Sequence, residues 1–376
     1  MSKLDSLLEY LEDKIDVLHE EEKEKLQIDA LNFKEVPYLP ISIKYPIDSN
    51  LKRYPYHEAF NDPEKMLYNE LVEGFISVYN SVILQDYTPL HIRSNHGIGL
   101  IPSLFGCEIK LVGDNMPWVE PLGSIEKIKQ LISKGVPQFD SPLWKNEMEN
   151  YQFFNNKLSQ YPKCYKTIKI TQPDLEGPFD IIHMIVGVKL FTELYDNPDI
   201  IHQLLELITI TYIEFKKYIE NSEILTDKAG EDAVYVHGAI SKGNVIIKDD
   251  TAMVSLSENM YQEFAGQYNE KILNAFHGRG SIHYCGPPKD WHYQNIIKQG
   301  FSSINFGNPE MHNIVDLYNS FGKNDISIIS WGRENPYSFL DDLYKENIDS
   351  GISLLIKADS YKEAKKILIK HKKRNN

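Results

Sequence analysis

From about residue 87 onward, short runs rich in β-branched and aromatic residues alternate with segments of helical periodicity. This alternation limits the architecture more than any other feature of the chain. Eight runs read as strands: 90–93, 108–112, 167–170, 245–247, 281–284, 303–306, 326–330 and 352–356. Helices read between them. Asn197-Pro198-Asp199 opens one over 200–219, with apolar residues at Leu204, Leu205, Leu207, Ile208, Tyr212 and Phe215. Ser257 opens another that runs to about Phe276, and helices over 288–299, 312–322, 336–348 and 360–371 follow the later strands. Eight strands with intervening helices over roughly 290 residues is the arithmetic of an α/β (β/α)8 TIM barrel. A doubly wound sheet fits less well, because no G-x-G-x-x-G follows an early strand.

Residues 1–86 read as an N-terminal helical extension and 87–376 as the barrel. Leu4, Leu7, Leu8, Leu11, Ile15 and Leu18 recur at helical spacing, which predicts an amphipathic helix over about 3–25 and offers a homodimer contact. A proline-rich irregular segment follows. Asp62-Pro63-Glu64 then opens a helix carrying Met66, Leu67, Leu71, Phe75 and Val78.

Composition excludes some functions. Forty basic against fifty-four acidic side chains give a formal charge of −14, a surface that repels phosphate backbones, so no nucleic-acid partner is expected. No apolar run approaches the roughly 20 residues that span a bilayer, and the first residues lack the pattern of a signal peptide. Three cysteines do not make a disulfide framework, which points to a reducing cytoplasm.

His283-Tyr284-Cys285, followed by Gly286-Pro287-Pro288, carries the sharpest chemical signal. It closes an apolar run that reads as a strand. Side chains two apart on a strand face one side, so imidazole and thiol share one space at the strand's carboxyl end. Both suit a borderline-soft metal such as zinc. Glu310, after the next strand, offers a third ligand, and three mixed ligands with a vacant fourth position describe an open zinc site. A core cysteine beside a hydrogen-bonded histidine, with Glu310 opening a helix, satisfies the same spacing. The other strand ends carry Arg93, Asn95, His96, Asp174, Glu176, Asp249 and Asp250, a polar rim suited to a small polar ligand. Loop polarity alone would place some of these there.

Several segments together resemble the uroporphyrinogen decarboxylase superfamily, most closely its corrinoid-dependent methyltransferase branch. They are Arg93-Ser-Asn-His-Gly-Ile-Gly, Pro102-Ser-Leu-Phe-Gly106, Asp174-Leu-Glu-Gly-Pro178, Asp249-Asp250-Thr251, Ser257-Glu258 through Phe264, His283-Tyr-Cys-Gly286 and Asn305-Phe-Gly-Asn-Pro-Glu310. The resemblance implies a barrel with its site at the carboxyl rim and zinc held by His283, Cys285 and Glu310. It also implies a small-molecule substrate and a corrinoid carried on a partner protein. Asp174, Asp249 and Asp250 would then act in catalysis, while Arg93, Asn95, His96, Glu176 and Asn305 bind the ligand. The later cysteine that completes the family's metal set is absent, and Asp359 stands in the corresponding stretch. The same superfamily implies two alternatives: decarboxylation with Asp249 or Asp174 as general acid, or ligand binding without catalysis.

Overall fold

The computed structural model describes residues 2–226, 233–332, 340, 343 and 345–373. Among these residues twelve strands form, the first six being β1 (Ile41–Lys44), β2 (His91–Ile92), β3 (Glu108–Lys110), β4 (Trp118–Glu120), β5 (Lys169–Ile170) and β6 (Ala233–Val236). The rest are β7 (Ala239–Lys242), β8 (Val245–Lys248), β9 (Gly280–Tyr284), β10 (Ser303–Phe306), β11 (Ser327–Trp331) and β12 (Ile352–Lys357). Six form one parallel sheet in the order β1-β12-β11-β10-β9-β8. A separate parallel pair joins β2 to β5, and two antiparallel hairpins, β3–β4 and β6–β7, stand apart from both. The continuous eight-stranded ladder expected from the sequence is therefore resolved into six strands and a pair. Between the pair and the sheet, Gly177 N donates to the carbonyl of Lys248 at 2.7 Å.

Several elements differ from expectation. The run at 108–112 forms half of a hairpin, because its outward residues are partly or fully exposed and cannot sit inside a packed sheet. Its place among the parallel strands is taken by β1, in the segment read as irregular, where Pro40 and Pro46 flank a four-residue strand with only two apolar side chains, Ile41 and Ile43. β1 pairs with β12, so its partner lies some 300 residues away in the chain. The expected helix over 3–25 is two helices, Lys3–Lys14 and Val17–Leu31. Asp16 breaks them by accepting hydrogen bonds from Leu18 N and His19 N, which turns Leu18 out to solvent. The helix from Pro63 starts as expected, with Asp62 as its cap, but ends at Glu73 before Gly74, so Phe75 lies beyond it and Val78 opens a second helix, Val78–Leu84. The helix expected over 200–219 spans Pro198–Asn221. The helix expected over 336–348 falls mostly outside the described residues.

Register sorts the sheet's two faces. Ile247, Ile282, Ile304, Ile328 and Ile352 pair across five neighbouring strands and belong to the main core with the surrounding helices. One residue along, the chemistry changes: Ile246, Ser281, Ser303 and Ser327 align on the opposite face. The small serines leave room there for the β6–β7 hairpin. Ser42 Oγ donates to Gly238 O at 2.8 Å, Ser241 and Ser303 hydroxyls lie 2.8 Å apart, and Ser330 Oγ donates to His237 O at 2.5 Å. Tyr235, Ala239 and Ile240 of the hairpin form a second small core with Leu31 and Ile329. Among the described residues, no helix is long and apolar enough to cross a membrane.

Candidate metal centre and its charged cavity

Two residues further along that polar face, Lys248, His283, Asn305 and Ile329 align across β8, β9, β10 and β11. The register thus brings a cation, an imidazole and an amide into one row at the strands' carboxyl ends. Cys285 follows two residues after His283, and Asp250 opens the helix after β8. Cys285 Sγ lies 3.8 Å from His283 Nε2, and Asp250 Oδ1 lies 3.9 Å from the same nitrogen. The ligand atoms of Asp250, His283 and Cys285 all fall within 4.8 Å of one another. Asp250 is anchored because its Oδ1 accepts the Cys285 backbone N–H at 2.6 Å. A Cβ on Gly307 would collide with Cys285 Sγ, so the glycine keeps the thiol's place open.

The hydrogen bonds around His283 fix its tautomer. Asn305 Nδ2 donates to Ile329 O at 2.8 Å, which turns Asn305 Oδ1 toward His283 Nδ1 at 2.6 Å. That nitrogen must then carry the proton, leaving the lone pair on Nε2, which faces Cys285 and Asp250. Burial pushes the His283 pKa down, so the ring stays neutral, while burial pushes the Cys285 thiol up to about 12. A neutral imidazole, a carboxylate and a thiol with converging ligand atoms fit a zinc ion, which would convert the thiol to thiolate.

Glu310 is not part of this group. It lies exposed on the short helical turn Pro309–Met311, its carboxylate accepting from Asn308 Nδ2 at 2.9 Å. Asn308 Oδ1 in turn accepts the N–H of Gly286. Asp250, read from sequence as catalytic, is the oxygen donor that the geometry brings to His283 and Cys285.

Beside the triad runs a buried chain of charge. Arg93 and Lys248 both pair with Asp174, and Lys248 Nζ also lies 3.5 Å from Glu176. Burial works against the Asp174 carboxylate, but the two cations outweigh it and hold its pKa well below the usual range. Glu176 behaves oppositely: burial, only partly offset by Lys248, raises its pKa to about 7. Asn95 donates to Glu70 at 3.1 Å and accepts from Arg93 at 3.3 Å. Arg93, Asp174, Lys248, Glu70 and His237 line a narrow cavity of about 40 Å³. Asp249 points elsewhere, accepting from Asn269 Nδ2 at 2.8 Å, with burial raising its pKa to about 7. His96 sits in a buried network with Glu147 at 3.3 Å, Ser94 Oγ at 3.0 Å and Phe60 O at 2.9 Å. A larger cavity of about 610 Å³, lined by Lys242, Arg279, Phe301 and Asp325, opens at the amino ends of β9–β11, away from the triad.

Sequence reasoning missed Lys248 and His237. Lys248 carried a signal, being a charge that closes an apolar strand one residue before Asp249-Asp250. His237 carried none, because its place depends on where the hairpin packs.

No family model and no curated protein matches this chain in sequence. Among solved structures, a methyltransferase from Methanosarcina mazei is similar, with a TM-score of 0.61 over 93% of this chain and 97% of that one, at 16% identity. At that identity the likeness is one of fold.

Proposed function

We propose that this chain is a zinc-assisted methyltransferase that moves a methyl group between a corrinoid protein and a thiol or other small acceptor. The observation that carries the reading is the convergence of Asp250, His283 and Cys285 with the His283 lone pair turned toward the other two. The fold likeness to a methyltransferase along nearly the whole chain supports it, as does the sequence resemblance that supplies the corrinoid partner. In this reading the six-stranded sheet and the β2–β5 pair form one eight-stranded barrel. His283, Cys285 and Asp250 hold the metal.

When bound, zinc would lower the pKa of an acceptor thiol so that a nucleophile forms at neutral pH. The protein's own groups do the rest. Asn305 keeps the His283 proton on Nδ1, and the Cys285 amide keeps Asp250 in place. The Arg93–Asp174–Lys248 chain fixes a charged wall beside the acceptor, and Glu176, able to hold a proton near neutral pH, can exchange one with it. Asp174 is unsuited to the general-acid role that a decarboxylase would ask of it, because its two cations keep it ionised.

The test is demethylation of methylcobalamin by the zinc-loaded protein in the presence of small thiols, followed by absorbance. Turnover that disappears in Asp250→Ala and His283→Ala supports the reading. Turnover equal to a zinc-only blank with every thiol tried counts against it.

A further inference from the structure

The turn joining β6 to β7 has only two central residues, His237 and Gly238, with φ of 47° and 75°. Positive φ at both positions is what a two-residue type I′ loop requires, and such loops favour Asn-Gly or Asp-Gly. Histidine accepts positive φ more readily than most residues, so this turn can carry a ring at its tip. The tip is held firmly by the Ser42 and Ser330 hydroxyls on the carbonyls of Gly238 and His237. A Cβ on Gly238 would run into Ile76, so the tip sits close against its neighbours.

The His237 ring lies nearly parallel to that of His283, with centroids 5.0 Å apart and planes 20° from each other. Phe75 packs edge-on against it at 4.8 Å. Its Nε2 has no hydrogen-bond partner among the described residues, so the ring's contacts here are made by its faces and edges. His283 is therefore gripped in two ways: by Asn305 at Nδ1 and by a stacked ring across its face.

We infer that His237 is a positioning residue for the candidate metal centre: its ring fixes the rotation of the His283 imidazole so that Nε2 stays aimed at Cys285 and Asp250. This rests on the metal reading above and adds an outer contact to it, of the kind that tunes metal affinity.

The test uses His237→Asn, which removes the ring while giving the turn its favoured Asn-Gly, and His237→Phe, which keeps a stackable ring. Co²⁺ is titrated into each full-length protein and followed by its visible absorption. Asn should weaken binding about 10-fold or more, and Phe should stay within about threefold of the parent. Asn binding as tightly as the parent, or Phe as weakly as Asn, overturns the inference. If the parent takes up no Co²⁺, the metal reading fails by itself and the positioning role is read from the metal-free protein. The hydrogen-bonded imidazole N–H proton of His283, assigned by its loss in His283→Ala, should then be seen by NMR in the parent and in Phe but not in Asn. Its persistence in Asn overturns the inference.

Discussion

Asn305 shows how much one amide can decide. Its Nδ2 is committed to Ile329 O, so its Oδ1 must face His283, and the imidazole has one tautomer left. Asn305→Ala should leave the strand intact and lower zinc affinity about 10- to 100-fold in a calorimetric titration; an unchanged affinity would mean that the tautomer is set elsewhere. Glu176 makes a prediction of a different kind. Its folded pKa of about 7 lies above the roughly 4.3 of an unfolded glutamate, so the folded state binds the extra proton between those values. Its contribution to stability is present in acid and is lost as pH rises through about 7. Urea unfolding should show stability falling between pH 5 and pH 8 by on the order of 2 kcal/mol from this group. Glu176→Gln, neutral throughout, should flatten that fall. An equal fall in the variant would assign it to other groups.

Strands and turns place these residues, and at this scale part of the design was legible in the sequence. The apolar runs that became β8 to β12 were visible, and so was the two-residue spacing that puts His283 and Cys285 together. β1 was hidden by the prolines around it, and its partner strand is too remote in the chain for any local pattern to reveal. The serine row opposite the isoleucines could have been noticed, since Ser281-Ile282, Ser303-Ile304 and Ser327-Ile328 repeat the same step. What it makes room for could not, because the hairpin reaches that face only through tertiary packing. Glu310 was misplaced for a related reason: a strand-end position gives the side of the sheet but not the direction of the turn that follows. Gly307, in that same turn, is the element's own contribution. Gly307→Ala should displace the Cys285 thiol, with metal binding lost and the melting temperature lowered by no more than a few degrees. Metal binding at parental strength would show that the turn can move aside.

Across the whole molecule, one sheet separates two environments. Isoleucine rows face the helices and form the main core, while the other face carries serines, then the row Lys248–His283–Asn305, and is filled by a hairpin instead of large side chains. Polar chemistry is thereby concentrated at the strands' carboxyl ends, where Asp250 and Cys285 join it. The likeness to a methyltransferase covers 93% of this chain and is one of fold, and the proposed metal centre is what would give it chemical content. Metal analysis of the full-length protein purified without chelator, beside Cys285→Ala, tests this most directly. The account predicts about one zinc per chain in the parent and a large loss in the variant. A parent that carries no metal and gains none on adding zinc would contradict it.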